Sequence, residues 1–165
     1  MHKPKYEFPI VTGRSTLRLY VVAVGDGKRN SRRGADVLSV ASVISVLDDD
    51  PYVRAAINNL LESRGYNVHT FASAEEFLSS TDSSDTSCVI ADVQMPLMSG
   101  IDLLTQMRAQ GSATPFIFIT AFPDDGVRVR ALNAGAICFL GKPFAASDLM
   151  QCLDRALALD HQTTS

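Results

Sequence analysis

Five short apolar runs, each followed by a stretch with helical spacing, constrain this chain more than any other feature. Val43 to Leu47 is largely apolar and β-branched and stops at Asp48-Asp49-Asp50. Pro51 suits the first turn of a helix. Val53, Ala56, Ile57, Leu60 and Leu61 then repeat at helical spacing as far as Gly65, a C-terminal cap. Asn67 to Phe71 reads as a second strand. Ser73 and Glu76 form a capping box for a short helix through Leu78, and the Ser/Thr/Asp-rich stretch Ser79 to Ser87 reads as a loop.

The unit then recurs three times. Cys88 to Ala91 is a buried strand ending at Asp92; a loop from Met95 to Gly100 leads to a helix carrying Ile101, Leu104 and Met107 and ending near Gly111. Pro115 to Thr120 is a fourth strand, followed by a helix over Asp124 to Asn133 with Gly135 beyond it. Ile137 to Leu140 is a fifth strand, and Ser147 can cap a last helix bearing Leu149, Cys152, Leu153, Ala156 and Leu157. Uninterrupted apolar strands alternating with helices imply an α/β fold, a parallel sheet covered on both faces. Right-handed crossovers leave few topologies, among them the doubly wound 2-1-3-4-5 order; periodicity alone does not choose it.

The chain has 165 residues, 46% hydrophobic and 20% charged, enough for one core and unlike a coiled coil or a disordered chain. No apolar run approaches the roughly 20 residues of a membrane span. Three cysteines without CxxC spacing (Cys88, Cys138, Cys152) argue against a disulfide framework or a zinc site. They read as buried apolar thiols suited to a reducing cytoplasm.

Charge divides the chain. Residues 1–42 carry eight Lys/Arg against three Asp/Glu, a net +5, whereas the remainder carries seven against fifteen, a net -8. The break marks residues 1–42 as a basic arm, partly disordered or docked through a strand at Leu17 to Val24, ahead of a domain at 43–160 and a tail at 161–165. Ser31-Arg32-Arg33 lacks the cleavage site of an export signal, and the arm's charges are too scattered to single out nucleic acid; the arm reads as a solvated tail.

In open α/β sheets, ligands lie beyond the carboxyl ends of the strands. Asp48 and Asp49 follow strand one, Asp92 follows strand three, Thr120 closes strand four, and Lys142 follows strand five. In the 2-1-3-4-5 order strands one and three are neighbours, so the three carboxylates meet. They need a counter-charge, and a small oxygen cluster suits Mg²⁺ or Mn²⁺. A carboxylate beside a cation, a hydroxyl and an ammonium is equipped to attack phosphorus and form an acyl phosphate. Singly, each residue has an ordinary role: Asp50 is a helix cap or solvated, Thr120 a strand end, Lys142 a loop residue. Their joint placement carries the signal.

The stretches Val43-Ile-Ser-Val-Leu-Asp-Asp-Asp50, Val89-Ile-Ala-Asp-Val-Gln-Met-Pro-Leu-Met-Ser-Gly100, Phe116-Ile-Phe-Ile-Thr-Ala121 and Gly135-Ala-Ile-Cys-Phe-Leu-Gly-Lys-Pro-Phe144 resemble the receiver domains of two-component response regulators. The match runs in order from residue 43 to about 158. The resemblance implies a five-stranded sheet in the order 2-1-3-4-5 with five helices. It implies Asp92 as phosphoacceptor and Asp49 as direct metal ligand, with Asp48 acting largely through water. The backbone carbonyl of Gln94 would complete the protein's share of the Mg²⁺ shell. Thr120 matches the switch hydroxyl, Lys142 the phosphoryl-gripping cation, and Phe139 the aromatic that moves with Thr120. The Lys142-Pro143 bond resembles one that is cis in the family.

Implied partners are a histidine kinase or histidine phosphotransfer protein upstream and an unidentified protein downstream. Homodimerisation through the face of the fourth helix, fifth strand and fifth helix is a further implied outcome. The expected role is cytoplasmic signalling, not enzymatic beyond the chain's own phosphorylation and dephosphorylation. Only Asp160 to Ser165 follow the last helix, so no DNA-binding domain is expected in this chain. Phe122-Pro123 departs from the family's usual small residue and Gly, and predicts a stiffer loop. Two alternatives use the same residues: a pseudo-receiver acting purely by interaction, and a haloacid-dehalogenase-type phosphatase with Asp48 as nucleophile. The latter wants Thr or Val where Tyr52 sits, and gives Asp92 no central task.

Overall fold

A computed structural model describes residues 8–12, 15–19 and 41–160. Strands β1 (Phe8–Thr12) and β2 (Ser15–Leu19) pair antiparallel as a separate two-stranded sheet. The strand expected at Leu17 to Val24 therefore begins earlier, at Ser15, and its residues beyond Leu19 lie outside the described residues, as do residues 1–7, 13–14, 25–40 and the tail. Pairing with β1 sets the strand's register, with Thr12 opposite Ser15.

The main sheet contains β3 (Val43–Leu47), β4 (Asn67–Phe71), β5 (Cys88–Asp92), β6 (Phe116–Thr120) and β7 (Cys138–Gly141), all parallel, in the order β4-β3-β5-β6-β7. Counted within that sheet, this is the 2-1-3-4-5 order that the motifs imply. Helices α1 (Pro51–Glu62), α2 (Ala74–Ser79), α3 (Gly100–Ala109), α4 (Asp125–Asn133) and α5 (Ala146–Asp160) supply the crossovers. No helix among the described residues is long and apolar enough to cross a membrane.

The apolar strands read as continuous runs because both faces are covered. Ile44, Val46, Ile90, Ile117 and Ile119 pack on the α1 and α5 side with Ile57, Leu61, Leu149 and Leu153. Their alternating neighbours Leu47, Val89, Ala91, Phe116 and Phe118 pack with Phe77, Leu103, Leu104 and Ala131 of α2, α3 and α4. Ser45, the one polar residue inside β3, is buried and satisfied by the Thr86 hydroxyl at 2.7 Å.

Local chemistry sets the helix ends. Asp50 caps α1, its Oδ1 accepting from the Tyr52 N–H at 2.9 Å. Ser73 caps α2 by accepting from the Glu76 N–H, while Glu76 reaches back to the Ala72 N–H rather than to the cap residue itself. Three elements differ from expectation. The stretch read as a loop contains a 3₁₀ turn, Thr81–Asp85, because the Ser80 hydroxyl accepts from the Asp82 N–H and nucleates it. Helix α5 begins at Ala146, with the Leu149 N–H bonded to the Ala145 carbonyl, so Ser147 lies in its first turn and does not cap it. Cys138 of β7 and Cys152 of α5 form a disulfide, contrary to the reading of all three cysteines as thiols. Packing of α5 on the sheet brings their Cα atoms to 5.9 Å, a separation that CxxC spacing cannot reveal. Cys88, buried in β5, lies outside that bond.

Candidate functional site

The carboxyl ends of β3, β5, β6 and β7 converge on one acidic pocket. Carboxylate oxygens of Asp48, Asp49 and Asp92 all lie within 4.8 Å of one another. Asp48 is fully buried and Asp92 nearly so, while Asp49 is exposed at the mouth. The adjacency arises because β3 and β5 are hydrogen-bonded neighbours, with Leu47 opposite Ala91.

Lys142, carried just beyond β7, spans the pocket. Its Nζ donates to Asp48 Oδ2 at 2.7 Å and to Asp92 Oδ2 at 3.0 Å. Its backbone N–H donates to the Thr120 carbonyl at 2.7 Å, which ties the β7 end to the β6 end. The Lys142-Pro143 peptide is cis. The second oxygen of each buried carboxylate is fixed by backbone: the Asp50 N–H donates to Asp48 Oδ1 and the Gln94 N–H to Asp92 Oδ1, each at 2.9 Å.

Burial pushes the Asp48 carboxyl up to about 6, since a desolvated carboxylate costs more than the Lys142 charge returns, and the Asp92 charge adds to the rise. Burial acts to lower the Lys142 ammonium, but the charges of Asp48 and Asp92 outweigh it and hold the group above the ordinary lysine range. The two directions agree: three carboxylates face one ammonium, so the pocket holds surplus negative charge. Its donors are hard oxygens, partly open to solvent at Asp49, which fits a small divalent cation that keeps several waters.

Thr120 is fully buried, and its hydroxyl accepts from the Phe122 N–H at 3.2 Å. Phe139 is half-buried on β7, packed against the α2–α4 side of the core. Phe122 is 68% exposed. Pro123 packs over Gly141, where an added Cβ would approach its ring at 3.1 Å.

Two groups at this site were not legible as such. Arg54, on the first turn of α1, donates a short hydrogen bond to the Asp48 carbonyl and places a guanidinium beside the acidic pocket. Only the sign of its charge, four residues into the helix after the aspartates, hinted at this. Gly100 opens α3 with its N–H bonded to the Val93 carbonyl at 3.0 Å. A Cβ there would collide with the Asp92 carbonyl and approach the Phe118 ring at 2.9 Å. Ser99 and Asp102 hold that helix end in a reciprocal capping box, missed in the sequence because Asp stands where Glu is the usual signal.

Residues 44–154 match the family model described as the response regulator receiver domain. The chain is 42% identical over 125 residues to the response regulator protein TodT of Pseudomonas putida, covering 76% of this chain and 55% of that protein. It is 39% identical over 114 residues to the transcriptional regulatory protein FixJ of Bradyrhizobium diazoefficiens, covering 69% of this chain and 56% of FixJ. The chain thus spans a little over half the length of these relatives. Among solved structures, the response regulator StyR superposes with a TM-score of 0.70 at 39% identity, covering 76% of this chain and 63% of that one. The chemotaxis protein CheY4 of Vibrio cholerae superposes with a TM-score of 0.66 at 28% identity, covering 72% of this chain and all of that one.

Proposed function

The chain belongs to the response regulator receiver family, and from that premise we propose that it is a phosphoacceptor switch of a two-component phosphorelay, with residues 43–160 as the receiver unit. Asp92 takes a phosphoryl group from a phosphohistidine on a histidine kinase or phosphotransfer protein. The P–N bond to the donor imidazole breaks as the bond from an Asp92 carboxylate oxygen to phosphorus forms. The observation that carries the reading is the Lys142 ammonium held between the buried Asp48 and Asp92 within a three-carboxylate pocket.

Asp49, Asp48, Asp92 and the Gln94 carbonyl would hold a Mg²⁺ or Mn²⁺ ion, which when bound neutralises charge on the transferring phosphoryl oxygens. Lys142 lies where it can follow the Asp92 oxygen and bind the new dianionic group. Thr120 releases the Phe122 N–H to donate its hydroxyl to the phosphoryl group, and Phe139 moves into the space vacated. The surface formed by α4, β7 and α5 is remodelled and read by a downstream partner, by homodimerisation or both. Moving such an equilibrium from 1:99 to 99:1 takes about 5.5 kcal/mol of differential stabilisation. A few charge-assisted hydrogen bonds at roughly 1.5–3 kcal/mol each are of that order. The setting proposed for this switch is the cytoplasm.

One observation weighs against a phosphatase built on Asp48. Asp50, the second carboxylate of the Asp-x-Asp sequence, is turned away to cap α1. The test is intact mass after incubation with Mg²⁺ and a small acyl-phosphate donor, alongside histidine-kinase donors. A gain of one phosphoryl group that is absent from Asp92→Asn supports the proposal. No gain with any donor favours a pseudo-receiver.

A further inference from the structure

On the side of the sheet edge formed by α4, β7 and α5 lies a groove of about 410 Å³ whose lining includes Arg128, Phe139, Asp148, Arg155 and both cysteines of the disulfide. We propose that Cys138 and Cys152 are a reversible dithiol–disulfide couple at this groove, exchanging with anionic low-molecular-weight thiols and disulfides. The inference stands apart from phosphoryl transfer and does not depend on it.

Three features of the site carry it. First, the pair is closable: the Cα atoms are 5.9 Å apart, inside the range that a disulfide spans. Second, the sulfurs belong to residues that are mostly buried yet line an open groove, with Cys138 7% and Cys152 6% exposed. A small disulfide therefore has a path to them, unlike Cys88, which is sealed inside the core at 0%. Third, the Arg155 guanidinium donates to Cys138 Sγ at 3.6 Å. Arg155 stands one helical turn beyond Cys152 on α5, so the cation and the second sulfur share a face. A guanidinium against sulfur favours the thiolate, the form that attacks and leaves in exchange. The groove also sets two arginines against one aspartate, a balance that attracts a carboxylate-bearing disulfide such as oxidised glutathione.

The chemistry closes without a further reagent. The Cys138 thiolate attacks one sulfur of oxidised glutathione, breaking its S–S bond and releasing one glutathione thiolate. The Cys152 thiolate then attacks Cys138 Sγ, forming the internal bond and expelling the second glutathione. The protein pair loses two electrons, glutathione disulfide gains them, and the two thiol protons pass to the released thiolates. Closure ties β7 to α5 across a separation of 14 residues. The tied segment contains Phe139 and Lys142, so the couple acts on the stretch that links the acidic pocket to this face.

The test equilibrates the full chain over a series of reduced-to-oxidised glutathione ratios, with acid quench, alkylation and mass spectrometry. As oxidised glutathione rises, Cys138 and Cys152 should pass together from two alkylated thiols to none, with no glutathione retained, and return when the ratio is reversed. Cys88, alkylated throughout after the denaturing quench, is the internal reference. Cys152→Ser should stop at a glutathione adduct on Cys138, and adding Arg155→Gln to it should slow that adduct's formation several-fold. A pair that stays closed, or stays open, at every ratio would overturn the proposal, as would an adduct that accumulates in the unsubstituted chain without closing. An unchanged adduct rate in the Arg155→Gln variant would overturn the activating role of Arg155.

Discussion

Helices α3 and α4 are successive crossovers of nearly equal length on the same side of the sheet, yet they are anchored differently. Of the ten residues of α3, Gly100, Leu103, Leu104 and Met107 are buried, and a capping box fixes its start. Of the nine residues of α4, only Ala131 is buried, while Val129 is 54% and Leu132 41% exposed. The strands beside them repeat the contrast: every residue of β5 and β6 is buried, whereas β7 has one buried residue in four. Asp92, the proposed acceptor, thus stands on one of the most completely buried strands of the main sheet. Helix α4 and strand β7 are packed more lightly than these strands, nearer the end of the stability spectrum from which moving elements are drawn.

Truncation should break this symmetry of length most sharply. Leu103→Ala removes a fully buried side chain from α3 and should cost about 2–5 kcal/mol in denaturant unfolding. Leu132→Ala on α4 should stay within about 0.5 kcal/mol of the parent; equal costs would contradict the contrast. Next in size is Gly100→Ala, expected to cost about 1–3 kcal/mol because its Cβ meets the Asp92 backbone. It should also weaken Mg²⁺ binding by displacing that strand end, whereas Gly111→Ala, with open space around it, should leave Mg²⁺ binding unaltered.

The pocket itself gives a pH-dependent effect. With the Asp48 carboxyl raised to about 6, the proton is bound below that pH and must leave before a cation binds. Calorimetric Mg²⁺ affinity should therefore fall by about tenfold per pH unit as pH drops below about 6, and level off above it. A flat profile from pH 5 to 7 would contradict the upward shift of the Asp48 carboxyl. Smallest in energy is local opening: α4 amides should exchange with deuterium faster than those of α3, and the gap should close if the two helices are equally anchored.

The residues that made the fold legible are those whose environment leaves a one-dimensional trace. Strands buried on both faces, such as Phe116–Thr120, are written as continuous apolar runs, and Asp50-Pro51 marks the start of a helix by local rules alone. The charged residues at strand ends were legible because an aspartate or lysine next to such a run breaks the pattern. Arg54 left only the trace of its charge, since an arginine on the first turn of a helix looks solvated until the turn from β3 into α1 brings the Asp48 carbonyl within its reach. The same holds for Cys138 and Cys152, whose pairing depends on how α5 lies against β7. The 3₁₀ turn at Thr81–Asp85 was hidden by its composition, because Ser and Asp serve loops and short caps alike.

The most direct test of the central claim is to locate the phosphoryl group, not only to weigh it. Borohydride reduction of the phosphorylated chain converts an acyl phosphate to an alcohol, and peptide mass spectrometry then identifies the converted residue. The account predicts homoserine at position 92 alone, formed only with both Mg²⁺ and phosphoryl donor. Conversion at Asp48 with Asp92 intact would contradict it.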